Sequence, residues 1–559
     1  MKKQFFFLYF VLTSVILMAQ QEKDTVKTQV INVTRSFEPK VQDAFKLNVN
    51  PDIDKLPEEK IPVEISIRSV PVAPTFTPEK GGMAHFNTRN MTENVYQSFV
   101  SFSAGNYTQI KSEAYLFYPV SDRLGAALNL SHYSSQGGVG AGGLKFEPFY
   151  HTFLNFLFDY KTDESTWNFD LGYKGHINYL KKDLNSTLVT TPVVLTNNHK
   201  ENNFVFDLKG TFNDNFIKDL NFEYNNYWDE FTNTEHEVQL SSNFVVPIDE
   251  FDLKTRLQTG LVTGDLGKLN FVENYADKNI TYKNINFGIS PSVQINNDRL
   301  IVNAGVKIFY QNNDTLFKKI QFLPNFKTSL NLIYEKLTVF AGVTGDLIQN
   351  SHSELSYLNP YLRTENIILP SLMPYDLYGG FNGALTSVFS YEVKMGYRQV
   401  KNYPFYNYDN INMFIGYGII YDDLSQSYFD TALNIGVGKR IDVKLHLTYM
   451  QNKAQNTSKV LFLPDFSFKS ILIFNPTDRL SFNATIHSLG NRNFSQNVAG
   501  YISGYNDLNI GVRYNINKQF TAFLQANNLL SKTYEIYYGY PVQKLQILAG
   551  ASYRFDLLK

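Results

Sequence analysis

The chain has 559 residues, with 51 Lys and Arg against 52 Asp and Glu, and a formal net charge of −1. That balance excludes a basic nucleic-acid-binding surface, and the absence of cysteine excludes disulfides and thiolate metal sites. The 37 Tyr and 46 Phe are too many for an ordinary soluble domain and suit the aromatic girdles of a membrane barrel.

The N-terminus reads as a secretory signal peptide over residues 1–19. Lys2 and Lys3 form a positive start, residues 5–18 are an apolar run, and Leu17-Met18-Ala19 ends in a small residue at the expected cleavage point. The run is too short to span a bilayer as a helix, and no later run reaches the roughly 18 apolar residues a helical span needs. No cysteine follows the signal, so no lipid anchor is expected there.

Residues 20–95 do not alternate well and carry seven prolines, Pro57, Pro62, Pro71, Pro74 and Pro78 among them. Proline lacks the amide donor that a ladder needs. The segment is expected to be short, irregular, and periplasmic or lumenal. Ile61, Val63, Ile65 and Ile67 could make one strand.

From residue 96 to the end the chain repeats one unit: a strand that alternates apolar and polar, a tight turn, a second strand, and a longer polar loop. In lipid only helices and closed barrels satisfy every backbone N–H and C=O. The fold class expected is therefore all-β, a transmembrane antiparallel up-and-down β-barrel of about 22 strands over residues 96–559. Strands are expected at 96–105, 108–119, 123–134, 150–161, 165–177, 203–213, 218–229, 235–246, 251–261, 286–296 and 299–310. They continue at 325–333, 336–347, 378–389, 391–400, 411–437, 441–450, 466–474, 479–488, 507–516, 520–529 and 545–555. The even count requires residues 411–437 to be a single strand, bulged near Asp422-Asp423; counts of 20 or 24 stay open.

A period of two sorts the faces. In the last strand Leu545, Ile547, Ala549, Ala551, Tyr553 and Phe555 share one face, while Gln546, Gly550, Ser552 and Arg554 share the other with Leu548 as an exception. The polar faces carry Lys254, Arg256, Lys307, Lys444, His446, Arg513 and Arg554. Arg or Lys facing the bilayer midplane costs about 2–4 kcal/mol, so these seven are expected to face a wet lumen.

Asp122-Arg123-Leu124, Asp298-Arg299-Leu300, Glu335-Lys336-Leu337 and Asp478-Arg479-Leu480 recur as short turns that launch strands, and are read as periplasmic. Long loops are expected on the other side, at 178–202, 262–284, 311–325, 348–376, 451–465, 490–505 and 531–543. The aromatic runs at 403–408 and 534–540 are expected in such loops, as girdle and loop packing or as a surface for sugar and ligand stacking.

The ending Gln525-Ala526-Asn527-Asn528-Leu529-Leu530-Ser531-Lys532-Thr533-Tyr534-Glu535, then Gly539-Tyr540-Pro541 and Leu548-Ala549-Gly550-Ala551-Ser552-Tyr553-Arg554-Phe555, resembles the closing strands of TonB-dependent outer-membrane receptors. The stretch from Val33 to Asn48 and the Asn-, Lys- and aromatic-rich composition resemble receptor-like barrels of Bacteroidota. The resemblance implies outer-membrane lipids as surroundings, barrel-assembly machinery during biogenesis, and TonB or an outer-membrane lipoprotein or complex subunit as partner. Phe555 resembles the terminal aromatic that assembly machinery reads, although Asp556-Leu557-Leu558-Lys559 follow it. Family members carry a plug of well over 100 residues. Here about 75 residues precede the barrel, so a full plug is not expected.

His132, His151, His176, His236, His352, His446 and His487 show no paired metal spacing. Glycine-rich 137–143 lies between strands and reads as a loop, not a phosphate cradle. Asp422-Asp423 reads as solvated loop acid rather than a cation site. No catalytic, cofactor or metal residues and no enzyme activity are expected. The function expected is solute transport across the cell outer membrane by a receptor-like, plugless barrel. The alternative is a non-transporting barrel subunit of an assembly, surface-export or nutrient-uptake complex.

Overall fold

The computed structural model describes residues 97–557, apart from 140–144, 147, 180–197, 214–215, 250, 268–279, 298, 313–317 and 409–415. The signal peptide and the 20–95 segment lie outside the described residues.

Twenty-two strands form one sheet. They are β1 (Ser98–Gly105), β2 (Gln109–Pro119), β3 (Leu124–Ser135), β4 (Phe149–Lys161), β5 (Ser165–Tyr179), β6 (Asn198–Phe212), β7 (Ile217–Asp229), β8 (Thr234–Ile248), β9 (Phe251–Leu266), β10 (Ile280–Asn296) and β11 (Leu300–Gln311). The second half comprises β12 (Ile320–Ile333), β13 (Leu337–Ile348), β14 (Ser371–Thr386), β15 (Phe389–Tyr408), β16 (Tyr417–Val437), β17 (Ile441–Ala454), β18 (Phe466–Phe474), β19 (Leu480–Leu489), β20 (Tyr505–Asn515), β21 (Phe520–Asn527) and β22 (Gln546–Phe555). Each pairs antiparallel with its chain neighbours. The sheet closes where β1 meets β22, from Ser98 opposite Phe555 to Gly105 opposite Leu548. The seam is tied at its lower end by the Gln97 amide, which donates to Asp556 Oδ1 at 3.0 Å. Closure leaves no edge strand, which is what a wall surrounded by hydrocarbon requires.

The alternation in sequence becomes two faces. Val100, Phe102, Leu240, Phe287, Met395 and Ile547 stand exposed on the outer face, whereas Ser101, Ser103, Asn286 and Gly550 occupy the inner one. Leu548, the exception in the last strand, is on the inner face and buried against Gly105. Because the outer face is apolar, a charge placed on it loses its hydration. Leu257, in register with Ser242 and Ile289, faces out. Leu257→Arg is expected to lower barrel stability by about 2–4 kcal/mol, and Gln258→Arg, one residue on and facing in, by far less. Urea titration of the folded, heat-modifiable band on gels reads both. Equal loss in the two variants would contradict the assigned faces.

The two rims differ. On one, turns run from two residues, at 249–250 and 387–388, to five at 475–479. Leu124, Leu300, Leu337 and Leu480 each open a strand there, as the recurring turn motif predicts. On the other rim the chain makes long excursions, at 349–370, 490–504 and 528–545. This asymmetry assigns the short-turn rim to the periplasm and the long-loop rim to the cell surface.

Several strands run further toward the surface than the alternation suggests. β6 begins at Asn198, β10 at Ile280, β12 at Ile320 and β14 at Ser371. The aromatic run 403–408 is not a loop but the end of β15, paired with β16 from Tyr403 opposite Asp422 to Tyr408 opposite Tyr417. β16 is a single strand of 21 residues, twice the ~9–11 needed to cross a bilayer. The ladder therefore continues above the lipid. There the outer face meets water and the inner face meets packed loops, so the apolar-polar period fades while the backbone pairing does not. The bulge lies at Lys401 and Asn402, opposite Asp423 rather than within Asp422-Asp423.

Candidate functional site

The 349–370 segment folds onto the inner wall. Its helix α1 (His352–Leu358) starts at Ser351, whose hydroxyl accepts the Glu354 amide at 3.2 Å. A serine cap with Glu354 in the first turn is what lets seven residues hold a helix. Leu355, Leu362 and Ile368 bury themselves against Tyr227, Val262, Leu266 and Tyr282 of β7, β9 and β10. Each such burial is worth about 1.5–3 kcal/mol.

Polar contacts fix the register of this lid. The Glu235 carboxylate of β8 accepts the His352 amide at 2.8 Å and the Ser353 amide at 3.0 Å, and also the Tyr282 hydroxyl. Gly264 makes that last bond reachable: a Cβ there would stand 2.3 Å from Tyr282 Cζ, so only glycine lets the ring lie across β9. Asn225 donates to the Ser353 hydroxyl at 2.9 Å, and that hydroxyl donates to Asn203 Oδ1 at 2.6 Å. Asn284 donates to the Ile368 carbonyl at 2.8 Å. From the far side Tyr406 donates to the Leu355 carbonyl at 2.8 Å, Tyr421 to the Ile367 carbonyl at 3.0 Å, and Tyr537 to the Leu358 carbonyl. The lid thus bridges β6–β10 and the β15–β16 wall.

His352 is the odd member. It is fully buried, its ring edge-to-face with Tyr227 at 5.0 Å, and neither ring nitrogen has a hydrogen-bond partner among the described residues. Burial, and secondarily the nearby His199, lower its pKa from 6.5 to about 3. It is held neutral at physiological pH. Glu354, facing Glu237, is pushed up from the usual carboxylate range, chiefly by burial.

A second folded body completes the surface end. Tyr361 stacks on Tyr540 at 3.4 Å, Phe494 on Tyr538 at 4.0 Å and Tyr505 on Tyr534 at 4.1 Å. Arg492, 2% exposed, donates to the Ile536 and Glu535 carbonyls, both at 3.0 Å. The aromatic runs are therefore loop packing: Tyr537 and Tyr540 are buried in one cluster with Tyr408 and Tyr417.

The charged residues singled out from sequence lie on the face opposite the apolar belt, but separately. Lys307 pairs with Asp346 at 2.8 Å, His446 with Asp430 at 2.9 Å and Lys444 with Asp442 at 3.8 Å. Arg256 donates to the Ser241 hydroxyl at 3.2 Å. Lys254 stands in register with Val245 and Ser292, Arg513 with Ser481 and Phe523, and Arg554 with Phe99. The wall also carries features that spacing along the chain does not reveal. Asp170, Asp207 and Glu223 are direct cross-strand neighbours, and so are His151 and His176, whose rings lie 4.8 Å apart. His199 meets Asp229 at 3.3 Å beneath the lid. Among the described residues no three of His, Asp and Glu form a group able to hold a metal ion. Asp422 is no solvated loop acid: it is buried, and its carboxylate accepts the Asn456 and Thr457 amides at 2.9 and 2.6 Å.

The architecture is shared with solved structures. A variant of the ferric enterobactin receptor PfeA from Pseudomonas aeruginosa superposes with a TM-score of 0.62 at 14% identity, covering 83% of this chain and 81% of that one. The siderophore receptor PirA from Acinetobacter baumannii gives 0.62 at 13%, covering 83% and 81%. The fold is that of outer-membrane receptor barrels. The FrpB iron transporter from Neisseria meningitidis gives 0.61 at 10%, covering 83% and 82%. No protein-family model and no curated protein matches the sequence. A receptor-type barrel closed on itself, with an apolar outer belt, has one stable setting, the outer membrane, because its outer face needs hydrocarbon and its inner face needs water.

Proposed function

We propose that this chain is a receptor-like barrel that carries a solute across the outer membrane, gated at the surface by the 349–370 lid. The observation that supports it most is the lid itself. A segment held inside the wall by side-chain contacts from both sides is a closure that can be released. On this reading the seven cations and their partners on the inner face line the hydrated route. Residues 20–95 act at the periplasmic mouth without a full plug, where TonB or a lipoprotein partner engages.

Gentle purification from native membranes followed by planar-bilayer recording tests this. The intact protein is expected to conduct rarely, and a variant lacking residues 352–368 to conduct steadily. A variant that stays sealed while a stoichiometric partner co-purifies would instead favour a non-transporting subunit of a larger complex.

A further inference from the structure

On the outer face of β7–β10 the lipid belt ends within one rung. Tyr224, Val238, Leu261 and Ile285 stand side by side across the four strands. The next rung toward the surface is Asn226, His236, Thr263 and Lys283, and the one after it Trp228, Thr234, Asp265 and Thr281. All point outward, because Glu235 and Tyr282 between them point in to meet the lid. Barrel exteriors are convex, yet here the polar rungs form a recess of about 520 Å³ walled by His236, Thr263, Asp265, Thr281 and Lys283. Tyr173 donates to Asn202 at 2.8 Å and lies beside Trp228, their rings 6.4 Å apart, so an aromatic girdle flanks the recess at the same height.

We infer that this recess holds the phosphorylated sugar headgroup of an outer-leaflet glycolipid. The chemistry matches in three places. Lys283 is exposed, and its ammonium has no ion-pair partner among the described residues, which leaves it for a phosphate. His236 is exposed and is oriented by the Tyr224 hydroxyl, 3.0 Å from its Nδ1. Thr263 and Thr281 present hydroxyls suited to sugar hydroxyls. The rungs below supply the apolar surface that acyl chains would follow, from Val238 and Leu261 down to Phe287. A soluble anion would gain nothing from that lower part, whereas a lipid gains from both.

The test uses the full chain in detergent micelles with a bis-phosphorylated, acylated glucosamine disaccharide as probe, retained lipid being counted by native mass spectrometry. Lys283→Gln and Thr263→Leu are each expected to lower retention about tenfold, as loss of a charge-assisted contact or filling of the recess would. Lys439→Gln, at the periplasmic rim, should retain the lipid as the parent does. All of these positions are exposed or half-exposed, and heat-modifiable migration verifies folding. Retention unchanged in both recess variants overturns the assignment. So does inorganic phosphate or the deacylated headgroup binding as tightly as the whole lipid, since the recess would then serve a soluble anion.

Discussion

Replacing Glu235 by alanine is expected to free the lid while leaving the barrel closed. The carboxylate takes two amide hydrogens of α1 and the Tyr282 hydroxyl in a site where all three donors are buried. Removing it leaves those donors unsatisfied, at about 1–3 kcal/mol for each group that water cannot reach. A lid held by a few apolar side chains and a handful of hydrogen bonds cannot absorb a loss of ~4 kcal/mol without populating its open form, since each 1.4 kcal/mol is a factor of ten. The 22-strand ladder does not depend on this residue: Glu235 keeps its backbone pairing with Tyr227 and Gly264 whatever its side chain. Hydrogen exchange at the His352 and Ser353 amides should accelerate by about two orders of magnitude or more, with the mid-strand amides unchanged. Glu235→Gln, which keeps one acceptor oxygen, should fall between. Unaltered protection of α1 in the alanine variant would mean that the lid is held by its apolar contacts alone.

The barrel itself was legible in the sequence because lipid imposes a rule that every strand obeys. Leu253, Leu257 and Leu261 alternate with Lys254, Arg256 and Gln258 for no other reason than that one face is in hydrocarbon, and the same rule recurs strand after strand. The turn motif was legible because it recurs at four of the short turns: a charged pair, then the leucine that re-enters the bilayer. Legibility stops where the lipid stops. Above the belt the strands β15 and β16 continue, but Tyr403, Phe405 and Tyr408 are packed against loops rather than lipid, so they read as an aromatic loop. The lid was illegible for a different reason. Its anchor, Glu235, is more than a hundred residues from the helix it holds, and Asn203, Asn225 and Asn284 each follow the ordinary polar-inward pattern of a barrel strand. Nothing local separates an inward carboxylate that caps a helix from one that faces water. The Asp170-Asp207-Glu223 rung was hidden likewise, since it exists only through the register of three strands.

His352 should weaken closure of the lid as pH falls. In the closed state the imidazole is enclosed by Tyr227 and by α1, with His199, Asp229 and Glu235 as its nearest titratable neighbours, and its pKa is lowered to about 3. Once the lid is released the same imidazole returns to the ordinary value near 6.5. Above pH 6.5 neither state binds the proton, and His352 does not affect the balance. As pH falls from 6.5 toward 3 only the open state takes the proton, so closure weakens by up to about 1.4 kcal/mol per pH unit and by roughly 5 kcal/mol at the acid end. Glu235, Glu354 and His199 are raised in the closed lid and so favour closure as pH falls, and the variant His352→Phe isolates the opposing contribution of His352. Phenylalanine keeps the edge-to-face contact with Tyr227 and carries no proton. Amide exchange across 352–358, corrected for its intrinsic acid dependence, should show closure in the parent loosening, relative to His352→Phe, by up to tenfold per pH unit between 6 and 4. Identical slopes in the two proteins would mean that His352 gains no proton when the lid opens. A buried imidazole with both nitrogens unpaired would then be a cost that the closed lid simply bears.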